Sequence, residues 1–135
     1  MTYMLDTDTV IAFLRGETQA VQAFARHAAG EFVISAMTTA ELLLGPKLVR
    51  GSRRDEVMAA VRAFLEAVEV LPFDNAAAEV FAECAAELRR GGRNIGDADL
   101  IIAATAMARG CTLVTHNQRH FARIETLPCV DWLAS

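Results

Sequence analysis

The sequence lacks most of what would set it apart from an ordinary globule. No apolar run approaches the roughly 20 residues of a membrane span, because charged or polar side chains interrupt each one, so no membrane partner is expected. The start, Met1-Thr2-Tyr3-Met4-Leu5-Asp6, has no basic cluster and meets a carboxylate at once, which argues against a secretory leader. Cysteine is scarce: Cys84, Cys111 and Cys129 are an odd set without metal-ligand spacing, each in apolar sequence. They read as small core residues of a reduced, cytoplasmic protein. Linkers, repeats and low-complexity tails are missing too. At 135 residues the chain is expected to form a single domain, 1–135, with room for a sizeable core.

Lysine is nearly absent. Of 13 basic residues only Lys47 is lysine, and 17 acids bring the formal net charge to −4. That balance argues against binding nucleic acid by bulk electrostatics, but not against an enzyme that touches it locally. Arginines gather at Arg50, Arg53 and Arg54 and again at Arg89, Arg90 and Arg93. Guanidinium forks suit phosphate; the plainer reading is a set of solvated helix ends. Hydrophobic residues at 53% and charged residues at 22% exclude disorder.

What is present is an alternation of short β-like runs with helical stretches. Tyr3 to Leu5, Phe32 to Ile34, Val68 to Leu71, Thr112 to Val114 and Cys129 to Asp131 read as strands. Helices are expected around Val10 to Arg15, over Thr18 to His27, and from Ser35 as cap to a stop at Gly45-Pro46. Three more should cover Asp55 to Ala67, Asn75 to Arg90 with Gly91-Gly92 behind it, and the nearly all-apolar Ala98 to Arg109. Strands alternating with helices imply a parallel sheet covered on both faces, an α/β sandwich. Ligands of such folds bind at the carboxyl ends of the strands.

Most acids suit solvated helix faces; a few do not. Asp6 ends the first strand, an expensive place for a lone carboxylate, whereas Asp8 reads as the cap of a helix starting near Thr9. Glu41 shares a helical stripe with Met37 and Leu44, so it either reaches an edge or has a partner for its charge. Asp97 and Asp99, two residues apart, would point about 160° from each other on a regular helix, so one is expected in the preceding turn. Both also suit a positive helix N-terminus. Thr115-His116-Asn117 leaves the fourth strand with short oxygen donors and turn chemistry. His116 reads as an exposed loop residue and His120, beside Phe121, as a half-buried one.

A parallel sheet brings Asp6, Asp99 and Asn117 to one edge, with Glu41 on a helix leaving it. Carboxylates gathered there raise one another's pKa unless a cation joins them. An all-oxygen set prefers Mg²⁺ or Mn²⁺, which makes bound water a nucleophile toward a phosphodiester.

These residues resemble a known family, the PIN-domain ribonucleases, and within it the VapC toxins of VapBC toxin–antitoxin pairs. The matching pieces are Met4-Leu5-Asp6-Thr7-Asp8, Thr39-Ala40-Glu41-Leu42, Ile95-Gly96-Asp97-Ala98-Asp99-Leu100-Ile101-Ile102-Ala103-Ala104, and Leu113-Val114-Thr115-His116-Asn117 with Phe121. They occur in the family's order over nearly the whole chain. The resemblance implies catalytic and metal-binding roles for Asp6, Glu41 and Asp99, with Asn117 as the fourth position and Asp97 auxiliary. Thr7, Asp8 and Thr115 would be auxiliary polar residues. Two positions depart from the usual pattern: Asp8 stands where Asn is common, and His120 where an acid is common. The resemblance further implies a PIN-like α/β/α sandwich with about five parallel strands, a homodimer, and inhibition by a VapB-like antitoxin whose tail enters the active-site groove.

The expected activity is a Mg²⁺- or Mn²⁺-dependent endoribonuclease, with Arg50, Arg53, Arg54 and Arg93 as RNA-binding candidates. Two other classes compete. A phosphoacceptor signalling domain needs an Asp ending a middle strand and a Lys ending a later one, and Lys47 is badly placed for it. A non-catalytic interaction module would use the acids merely as helix caps.

Overall fold

The computed structural model describes residues 2–134. Five strands and seven α-helices alternate along them: β1 (Tyr3–Leu5), α1 (Thr7–Leu14), α2 (Thr18–Ala25), β2 (Phe32–Ser35), α3 (Ala36–Lys47), α4 (Arg53–Ala67), β3 (Glu69–Leu71), α5 (Asn75–Arg90), α6 (Asp97–Ala108), β4 (Thr112–Val114), α7 (Gln118–Phe121) and β5 (Cys129–Val130). The strands form one sheet in the order β3-β2-β1-β4-β5, each pair parallel. The expected α/β/α sandwich of five parallel strands is what the chain forms.

Alternation along β1 builds the two halves of the core, because successive side chains leave a strand on opposite faces. Met4 joins Val33, Ile102, Ala106 and Leu113 beside the helices α5 and α6. Leu5 joins Val10, Phe24, Leu42 and Val61, contributed by α1 to α4. Small residues let α6 lie close against the sheet; Ala103, Ala104 and Ala106 are fully buried.

The chain leaves β1 for β2 and β3 on one side and returns to β4 and β5 on the other, so β1 is the switch point of the sheet. Its carboxyl end is where such folds open a crevice. Asp6 stands there, its backbone N–H donating to Val114 O at 2.8 Å.

Several elements depart from expectation. α1 starts at Thr7 because Asp6, and not Asp8, is its cap: Asp6 Oδ1 accepts from Thr7 N at 2.8 Å. α3 runs through Gly45-Pro46 to Lys47. Proline in the last turn forfeits a single helical hydrogen bond, its ring is buried, and its carbonyl still accepts from Val49 N. α7 was not expected at all. Among the described residues no helix is long and apolar enough to cross a membrane.

Candidate active site

Asp6 is the anchor of the rim. The residue is 6% exposed, with Oδ1 accepting from Thr7 N and Oδ2 from Thr115 Oγ1, each at 2.8 Å. Burial, then the charge of Asp8, push its carboxyl from 3.8 up to about 7; Asp99 adds to the rise, while the bonds from Thr115 and Thr7 oppose it. Asp8 is likewise raised, first by burial, although Asp8 Oδ2 accepts from His116 N at 3.2 Å. The rim therefore carries more negative charge than its own donors neutralise.

Glu41 reaches this rim through a chain of hydroxyls. Thr7 Oγ1 donates to Glu41 Oε1 at 2.6 Å and lies 3.1 Å from Thr38 Oγ1. A hydroxyl has one hydrogen and a carboxylate only accepts, so Thr38 supplies the hydrogen of the second contact. Thr38 is held in turn by Ser35, the cap of α3, whose Oγ accepts from Thr38 N at 3.0 Å. The charge on Glu41 thus has a partner.

Asp97 and Asp99 both lie in α6, the first and third residues of its opening turn, behind Gly96 at φ 90°. Neither occupies the preceding turn, contrary to expectation, and they consequently part ways. Asp99 faces inward, with Oδ2 2.9 Å from His120 Nε2. Asp97 is 73% exposed and 3.9 Å from the Arg89 guanidinium.

Thr115 is fully buried and serves two neighbours, donating to Asp6 and accepting from Asn117 N at 3.0 Å. Asn117 precedes α7 without a side-chain capping bond and is exposed at the mouth. His116 is exposed as expected, with Nδ1 3.0 Å from Asp131 Oδ2.

The model of the PIN domain matches residues 3–127. The chain belongs to the PIN-domain family. Its relatives include the tRNA(fMet)-specific endonuclease VapC of Shigella flexneri, 33% identical over 132 residues and covering 98% of each chain. Ribonuclease VapC2 of Haemophilus influenzae is 32% identical over 133 residues, 98% of this chain and 99% of its own. Among solved structures, DNA-bound VapBC from Salmonella typhimurium superposes with a TM-score of 0.89 at 32% identity over 98% of both chains. VapBC-1 from nontypeable Haemophilus influenzae gives 0.86 at 29% identity, over 99% of this chain and 100% of that one. This PIN domain groups with the VapC ribonucleases.

Within this PIN domain the rim gathers Asp6, Thr7, Asp8, Glu41, Asp99, Thr115 and Asn117, and leaves Asp97 outside. The arginines stay on the periphery. Arg50 and Arg54 are exposed near the start of α4, and Arg93 is exposed in the turn between α5 and α6. Arg53 lines a groove that also contains Glu41 and Arg15. Lys47, exposed in the last turn of α3, does not end a strand as a phosphoacceptor domain requires. Sequence reasoning missed that groove and the His120–Asp99 pair. The signal for the pair was Asn117-Gln118-Arg119-His120, a helix start that turns His120 back toward α6.

PIN-domain nucleases are in general divalent-metal dependent, and the donor set here fits such an ion. Its oxygens are hard, and the buried, charge-crowded Asp6 is the group a cation would relieve. Among the described residues no three Asp, Glu, His or Cys side chains close into a ready-made cage. An ion held here would need much of its shell from water, as Mg²⁺ accepts.

Proposed function

We propose that this PIN domain is a Mg²⁺- or Mn²⁺-dependent endoribonuclease and the toxin half of a toxin–antitoxin pair. The observation that carries the reading is Asp6: a carboxylate buried at the switch point of the sheet, crowded by Asp8 and Asp99. When bound, a divalent ion supplies positive charge against the scissile phosphate and makes its water nucleophilic. Asp6 and Asp99 are the residues that would hold that ion, directly or through water. Glu41, fixed through Oε1 by Thr7, orients the attacking water and accepts its proton. Thr115 keeps Asp6 turned into the rim, and Asn117 orients the water or the phosphate. In-line attack by water on phosphorus would break the P–O3′ bond, leaving a 5′-phosphate and a 3′-oxygen that takes up a proton to become a hydroxyl. Asp97, turned toward Arg89, takes no part.

The substrate is RNA, and tRNA is the first class to try, since the Shigella relative is named for tRNA(fMet). Of the four candidate arginines, Arg53 is the one sited to meet it, in the groove it shares with Glu41 and Arg15. That groove, about 730 Å³ between α1, α3 and α4, has an apolar floor of Ile11, Leu14, Leu42 and Val61. It suits an apolar segment of a VapB-like antitoxin whose tail ends at Glu41. A homodimer and a cytoplasmic site of action complete the reading.

Purified protein is incubated with a tRNA and rRNA panel in EDTA, then with Mg²⁺ or Mn²⁺ restored, and the new 5′ ends are sequenced. Cleavage is expected only with the ion, leaving 5′-phosphates. Undiminished cleavage in chelator contradicts it.

A further inference from the structure

We infer that His120 is a positioning residue for Asp99, clamping one carboxylate oxygen so that the other is held for the ion. The inference rests on the metal-dependent reading above. His120 Nε2 lies 2.9 Å from Asp99 Oδ2 and 2.9 Å from the carbonyl oxygen of Ile95. The ring N–H donates to Ile95 O, so Nε2 carries the hydrogen, and Asp99 Oδ2 packs against the same nitrogen off the N–H axis, an electrostatic contact rather than a second hydrogen bond. The ring is itself fixed. Phe121, the next residue, is 1% exposed in the core and anchors α7, while His120 N donates to Asn117 O at 3.1 Å. Ile95, 5% exposed, anchors the other side of the clamp.

The clamp therefore joins two buried core residues, one on each flank of the rim, through a single imidazole. Asp99 is the third residue of α6, its side chain is 34% exposed, and no described hydrogen bond fixes its rotamer. A second carboxylate at position 120 would repel Asp99; the imidazole instead sets its polarised N–H edge against it. Outer partners that orient metal-binding carboxylates typically account for about 10–100-fold in metal affinity.

The test is Mn²⁺ binding to the full chain by isothermal titration calorimetry, with folding followed by circular dichroism. His120→Ala is expected to weaken Mn²⁺ binding roughly 10–100-fold without loss of fold. His120→Gln, whose amide nitrogen reaches the same place as a neutral donor, is expected to recover most of the affinity. Should His120→Ala unfold, His120→Met keeps the bulk without the donor and is expected to show the same weakening. Wild-type affinity in the Ala or Met variant, with Asp99→Asn still weak, overturns the clamp and leaves the nuclease reading standing. No Mn²⁺ binding by the unaltered chain overturns both.

Discussion

The two ends of β1 face opposite tasks only three residues apart, about 10 Å of extended chain. At the amino end, Tyr3 enters a cluster of rings. Its centroid lies 5.2 Å from His27 and 5.4 Å from Trp132, which stack on each other at 4.2 Å, and Phe24 meets Trp132 at 5.6 Å. These are satisfied contacts, edge-to-face or offset, that add to area burial. At the carboxyl end, Asp6 is more deeply enclosed than Tyr3 but surrounded by like charge. One end supplies stability and the other costs it, which is the pattern expected where a fold carries chemistry.

The sharpest way to break the comparison is to exchange what each end does under mutation. Asp6→Asn or Asp99→Asn should cut RNA cleavage by roughly 100-fold or more, the scale of a lost positioned catalytic group, while the fold survives. A folded variant cleaving at the unaltered rate would remove the distinction. Phe24→Ala, at the ring end, should behave conversely. It should cost about 3 kcal/mol in chemical denaturation, with cleavage per folded molecule unchanged. Loss of cleavage without loss of stability would place chemistry at the wrong end.

Proton binding sharpens the same contrast. Folding raises the Asp6 carboxyl from 3.8 to about 7, so between those values the folded state holds more protons than the unfolded chain. Stability of metal-free protein should therefore fall as pH rises from about 4 to about 7, through this group. Melting curves in EDTA for the unaltered chain and Asp6→Asn isolate the effect; the difference between them should grow in favour of Asn with rising pH. A pH-independent difference would mean that Asp6 is not strained. The smallest expected effect is at Asp97. Its ion pair with Arg89 is solvent-exposed, so Asp97→Asn should shift stability by no more than about 0.5 kcal/mol and leave cleavage intact.

Much of this was legible from side-chain pattern. β1 and β4 fall where their apolar runs do, and the parallel sheet follows from strands spaced by helices. The gathering of Asp6 and Asp99 at one rim follows from that topology, because both sit at the carboxyl edge of the sheet. What escaped was set by pairs distant in sequence or by local competition. Asp6 rather than Asp8 caps α1, since Asp8 finds His116 N, 108 residues away. Helix phase alone decided that Asp97 and Asp99 separate once Gly96 let α6 begin before both. Glu41 was legible as an anomaly, but its partner Thr7, 34 residues earlier, was not. α7 is a single turn, too short for periodicity to announce.

Asp6 and Asp99 are expected to share one divalent ion. Anomalous scattering from crystals soaked in Mn²⁺ tests this directly: a peak at the end of β1 within direct or water-mediated reach of both carboxylates, absent from Asp6→Asn crystals, is the predicted result. A map with no peak at the end of β1, or a peak that persists unchanged in the Asn variant, would contradict it.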